Sequence, residues 1–241
     1  MYLPRPPALV ASGTVTVLLA VVRNNNVLLC ADRAAALVQQ RTSTGHLLPA
    51  HDQQKLHVGP GIAVAFAGLV GITSEGADMV AAAADILARA STQAQANQAL
   101  SELFDDVRFG GSSATTGAIV PGFQAPVCAV AVVVRSTGRD VSVVGHGLST
   151  AASPVPYGLH APGTAYAPLE LLADAHLAVA DAAAAPDEPA ALARIDSLLA
   201  AASSRHLDAV TRSWDHVSID PQGVGPLGQY GAPTQTLPRG I

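Results

Sequence analysis

Aromatic side chains are scarce in this sequence: phenylalanine, tyrosine and tryptophan make up 4% of its 241 residues, with a single tryptophan. A core assembled here cannot rest on large rings. It has to be built from Ala, Val and Leu, which suits closely packed layers of sheet and helix. Charge is scarce as well, at 13% of residues with a formal net charge of −5, so there is no basic footprint for nucleic acid or an anionic membrane. No apolar run approaches the roughly 20 residues that a membrane-spanning helix needs. Cysteine is limited to Cys30 and Cys128, each in an apolar, strand-like run. They read as buried thiols in a reducing cytoplasm rather than as a disulfide or a nucleophile. The eight histidines lack metal-ligand spacing and read as surface or capping residues, so no metal and no cofactor is implied. Internal repeats and breaks in composition are missing too, and a single domain is expected.

Hydrophobic residues nevertheless make up 49% of the chain, ample for a sizeable core. Residues 1–13, with three prolines and only a short apolar piece, make a poor signal peptide and read as an irregular leader. A β-rich run over 14–22 and a second over 27–31 flank the turn Arg23-Asn24-Asn25-Asn26. Neither strand alternates strictly, so this hairpin is expected to be covered on both faces. Residues 39–54, polar and containing Gly45 and Pro49, read as a loop. A second hairpin, 56–58 and 62–66, turns at Gly59-Pro60-Gly61.

An Ala-rich helix is expected over 73–90, and it is apolar enough to suggest a face buried against a neighbour. Thr92 and Gln95 form a capping box for a helix to about residue 107, followed by a loop over 110–122. A third hairpin pairs 127–134 with 141–144. Two more helices, 166–184 and 189–203, are separated by Pro186-Asp187-Glu188. A late strand spans 215–219, and the Gly-, Pro- and Gln-rich end reads as a disordered tail over 224–241. The domain proper is thus expected over 14–223. Hairpins and helix pairs in this order predict an α+β fold of four layers, αββα, with two antiparallel sheets between helix pairs.

Several short motifs fall in order along this frame. They are Gly13-Thr14-Val15-Thr16-Val17, Cys30-Ala31-Asp32-Arg33, Lys55-Leu56 and Ala67-Gly68-Leu69-Val70-Gly71. Together the chain resembles proteasome β subunits and the bacterial HslV and Anbu peptidases, which are N-terminal-nucleophile (Ntn) hydrolases. In such an enzyme the chain cuts itself before a Thr, and the freed α-amine, titrating near pH 8, serves as base for the hydroxyl. The resemblance implies Asp32 and Lys55 beside the nucleophile, within about 4 Å of each other, with the lysine favouring a more acidic hydroxyl. It implies that Gly68 supplies an oxyanion-hole N–H, and that Asp208 and Thr211, spaced like the family's Asp and Ser, lie near the amine.

The starting register has two solutions. Counting back from Asp32 without gaps places Thr16 on the family's nucleophile position, but Thr16 follows the β-branched Val15. Thr14 follows Gly13, which reaches the strained backbone that self-cleavage requires. A hairpin two residues longer would keep the side-chain alternation. The sequence therefore points to Thr14 as nucleophile, with Thr16 lining the same pocket. Where the family has a Gly-Ser-Gly turn, this chain reads Ala161-Pro162-Gly163-Thr164, which lacks the serine hydroxyl. The 39–54 segment is also longer than usual and is expected to border the cleft.

By resemblance, the chain is a cytoplasmic threonine endopeptidase acting on peptides inside a ring of proteasome-like subunits, after autocatalytic exposure of its threonine. An ATP-dependent unfoldase is the partner class this suggests. A catalytically silent ring subunit and a small-molecule Ntn amidase are the alternatives.

Overall fold

The computed structural model describes residues 16–41, 47–52, 54–68, 79–113, 128–149, 163–167, 171–205 and 210–231. Strands β1 (Leu18–Arg23) and β2 (Asn26–Asp32) form the first hairpin around a two-residue turn, Asn24-Asn25. Asn24 adopts φ 49° there, a left-handed conformation that asparagine tolerates. Beside β2 lies β10 (Trp214–Asp220), and beside β1 lies β9 (Gly163–Tyr166). Two short strands, β11 (Gly223–Val224) and β12 (Gly228–Tyr230), share the outer edge of β10 and complete a six-stranded antiparallel sheet.

The second sheet has four antiparallel strands in chain order: β5 (Leu56–Gly59), β6 (Ile62–Gly68), β7 (Cys128–Ser136) and β8 (Val141–Ser149). Helices α1 (Met79–Arg89) and α2 (Gln93–Ser113) pair together, as do α3 (Leu172–Ala183) and α4 (Glu188–Arg205). Among the described residues no helix is long and apolar enough to cross a membrane.

The period of two explains the layers. Along β1, Leu19 and Val21 join Leu28 and Cys30 of β2 against Ala175, Val179, Ile195 and Leu199 of α3 and α4. The alternate residues Leu18, Ala20, Leu29 and Ala31 face Ala63, Ala65, Ala67, Val132 and Val134 of the second sheet. The other face of that sheet, Ile62, Val64, Phe66 and Val133, packs on Val80, Leu87, Leu100 and Phe104 of α1 and α2. Strands buried on both faces need apolar residues at every position. Among the described residues the inter-sheet cluster is made of Ala, Val, Leu and Ile alone, whereas Phe66, Phe104 and Trp214 sit under helices. The scarcity of aromatics is thus met by two sheets packed over alanine, and the expected αββα order of layers is observed.

Several local expectations are corrected. Residues 39–54 were expected as loop, yet β3 (Ala34–Arg41) and β4 (Leu47–Asp52) pair across most of that stretch. Backbone pairing satisfies N–H and C=O groups whatever the side chains are, and Pro49 falls where the register shifts, a position that tolerates proline. Helix α2 runs on through Gly110 and Gly111 to Ser113, because a helical glycine costs only about 1 kcal/mol. Residues 224–231, expected as disordered tail, instead supply part of β11 and all of β12, and Tyr230 stacks on Trp214 at 5.1 Å. Strand β9 replaces the expected start of a helix at residue 166. Gly163 is required there: its φ is 141°, and a Cβ would overlap the Ala20 carbonyl oxygen. The leader, residues 1–13, and the last ten residues of the tail lie outside the described residues.

Candidate active site

The hairpin register fixes the site. Leu18 pairs with Ala31, so the ladder continues to Val17 opposite Asp32, whose N–H donates to the Val17 carbonyl at 3.0 Å. In return the Val17 N–H donates to the Asp32 carboxylate, at 2.9 Å from Oδ1, rather than to a backbone oxygen. Thr16 is the next residue along, just beyond the end of β1.

Lys55 immediately precedes β5, and its carbonyl accepts the Phe66 N–H at 3.1 Å. Its Nζ donates to Thr16 Oγ1 at 3.1 Å and to Asp32 Oδ1 at 2.9 Å. The second carboxylate oxygen of Asp32 accepts the Ala34 N–H at 3.0 Å. Thr16, Asp32 and Lys55 are 5%, 0% and 7% exposed. The carboxylate therefore holds three contacts, one from the Lys55 ammonium and two from backbone N–H groups, in a buried environment, the arrangement in which a buried charge is tolerable.

Burial pushes the Lys55 ammonium below its usual range, while attraction to Asp32, the hydrogen bond that Lys55 donates to it and the charge of Asp215 pull it back. Burial likewise raises the Asp32 carboxyl, against the attraction of Lys55 and the hydrogen bonds from Lys55, Val17 and Ala34. The result is a lysine poised to give up its proton more readily than a solvated one. Lys55 is also the only lysine in the chain, because every other member of its 13 Lys and Arg residues is arginine. Arginine would satisfy an ion pair equally well but cannot release its proton. That count is a sequence signal for the site which motif spacing alone did not use.

The expected meeting of Asp32 and Lys55 is thus observed as a 2.9 Å ion pair. Thr14 and Asp208 lie outside the described residues, and the hydroxyl set on Lys55 is that of Thr16. Gly68 closes β6 opposite Ala129, two residues beyond the Phe66 that binds the Lys55 backbone, and the turn after it lies outside the described residues. The hydroxyl of Thr211 is committed to the backbone: it accepts the Arg33 N–H at 3.1 Å and donates to the Ser213 carbonyl at 2.8 Å. It braces the residue after Asp32 rather than touching Lys55. Arg33 also reaches Asp215, with Nη1 2.7 and 2.8 Å from the two carboxylate oxygens. This ion pair was not anticipated from sequence, although an aspartate inside the apolar run Trp214-Asp215-His216-Val217 is an unusual placement.

Burial also raises the Cys30 thiol well above its usual range, as fits an inert core residue. Cys30 packs in the helix-facing cluster beneath α3 and α4.

No protein-family model matches the chain, and no curated protein matches it in sequence. Among solved structures, eukaryotic HslV from Trypanosoma brucei is similar over 85% of this chain and 99% of its own, with a TM-score of 0.43 and 13% identity. A likeness at that level establishes neither family nor chemistry.

Proposed function

We propose that the chain is a proteasome-like Ntn-hydrolase subunit that cleaves peptide bonds, with Thr16, rather than Thr14, as its nucleophile. The observation that carries this reading is the Lys55 Nζ lying between Thr16 Oγ1 and Asp32 Oδ1 in a buried site. Thr16 Oγ would attack the scissile carbonyl as its proton passes to a neutral amine, either Lys55 or the α-amine freed by cleavage before Thr16. The leaving amine would take up that proton as the C–N bond breaks, and water would then hydrolyse the Thr16 ester. Asp32 holds Lys55 in place, and Gly68 remains the proposed oxyanion donor. Ring assembly with like subunits, delivery of substrate by an unfoldase and a cytoplasmic setting belong to the same proposal.

A specific feature favours a second reading. Val15 precedes Thr16, and a β-branched residue there resists the backbone strain of self-cleavage. A subunit that keeps its leader and stays silent would show this combination. Intact mass of the purified chain separates the two: the active reading expects loss of residues 1–15 and a new N-terminus at Thr16. It also expects Thr16→Ala to abolish both processing and peptide hydrolysis. Cleavage after Gly13, with Thr14→Ala inactive, would overturn the choice of Thr16. An unprocessed, inactive chain within an assembled ring would establish the silent reading, and a monomeric active chain would favour an amidase.

A further inference from the structure

Strand β10 lies directly beside β2, with Trp214 opposite Asp32 and Asp215 opposite Ala31. The Asp215 side chain is buried, and both of its oxygens accept from Arg33 Nη1. Arg33 is the single residue between β2 and β3, where the chain leaves the first sheet. Its backbone N–H is shared between Thr211 Oγ1 at 3.1 Å and the Ser213 carbonyl at 3.2 Å. The residue is therefore pinned to the 211–215 segment at both its backbone and its guanidinium.

That pinning bears on the site through Asp32. Asp32 Oδ2 reaches across Arg33 to accept the Ala34 N–H, so the orientation of the carboxylate depends on the conformation of Arg33. If Arg33 shifts, Oδ2 loses its donor and the orientation of the carboxylate toward Lys55 rests on the Val17 N–H alone. A buried ion pair adds little stability over apolar side chains of the same shape. A purely architectural role gives no reason to place one beside the only lysine in the chain.

We infer that Asp215 is a positioning residue for Lys55, acting through Arg33 on the Asp32 carboxylate and through its own buried charge. This rests on the reading that Lys55 serves the Thr16 hydroxyl. Asp32 on β2 and Asp215 on β10 act on Lys55 through their charge, and both favour the protonated lysine. Arg33, at the β2–β3 link, binds Asp215, and His57 lies two residues along β5 against Phe66.

The test uses the full chain labelled with 15N- or 13C-lysine, in which one side-chain amine signal arises, from Lys55. Titration of Asp215→Asn should show the Lys55 pKa lowered by roughly one unit, and Arg33→Met, which removes the anchor between Asp215 and the Asp32 carboxylate, should lower it by less. A lowered Lys55 pKa in a folded variant identifies the positioning role, whereas a merely architectural pair would cost stability and leave that pKa where it was. Unmoved or raised values overturn the proposal. If one variant fails to fold, as judged by Trp214 fluorescence, the sign of the shift in the other decides. Peptide hydrolysis adds a separate arm: Asp215→Asn should lower kcat about 10-fold with little change in KM and move the pH profile with the Lys55 pKa. An unmodified chain that hydrolyses nothing defeats the peptidase reading while leaving the titration to judge the positioning role.

Discussion

Replacing Lys55 with methionine keeps much of the side-chain volume and removes the ammonium, leaving the Asp32 carboxylate fully buried without its cation. Breaking a buried pair in this way costs on the order of 3–5 kcal/mol. Because the Val17 and Ala34 N–H groups still hold Asp32, the lower end applies, about 3 kcal/mol at pH 7.5. For a chain of this size that is a fall in Tm of about 6–12 °C. The only tryptophan, Trp214, is fully buried and pairs with Asp32 across β10 and β2, so its fluorescence reports unfolding at the site itself. The sign of the pH dependence follows from Asp32. Without Lys55 its folded pKa rises further above the unfolded value, so the penalty is full at high pH and fades as the carboxylate protonates on acidification. The gap between parent and variant should therefore narrow from pH 7.5 to 5, and adding Asp32→Asn should recover most of the loss. A Lys55→Met variant as stable as the parent, or a gap that widens on acidification, would refute the buried ion pair.

Gly163→Ala should cost more than about 1 kcal/mol in urea unfolding, because its φ is 141° and a Cβ would meet the Ala20 carbonyl. Burial lowers the pKa of both His57 and His216. Stability from these groups is present above the unfolded value of about 6.5 and lost as pH falls through their lower folded values. Thermal melts should therefore drop between pH 7 and 5, and less so when both are glutamine. Tyr230→Ala should remove roughly 1 kcal/mol of stacking on Trp214 and shift its emission to the red, and an unchanged emission would contradict the pairing of β12 with β10.

The hairpins β1–β2, β5–β6 and β7–β8 were legible because each is closed by local turn residues and flanked by continuous apolar runs. Strands β9, β11 and β12 were not, since segments of two to four residues are too short to show a period and exist only by pairing, β9 with the distant β1 and the other two with β10 before them. The β3–β4 pair was hidden by polar composition, which speaks to side-chain burial and not to backbone pairing. In the site, Asp32 and Lys55 could be named from motif order. Which threonine meets Lys55 could not, because that depends on the hairpin register. The two-residue turn at Asn24-Asn25 and the turning back of the Asp32 carboxylate onto the Val17 N–H set it. The Arg33–Asp215 pair joins residues 182 positions apart, beyond the reach of any local pattern.

The most direct measurement of the central claim is to treat the assembled protein with a peptide β-lactone, which transfers an acyl group to an activated hydroxyl, and to map the adduct by peptide mass spectrometry. The account predicts one acyl group on Thr16 Oγ, absent from Thr16→Ala and greatly reduced in Lys55→Met. An adduct on Thr14 in place of Thr16, or an assembled protein that stays unacylated, would contradict it.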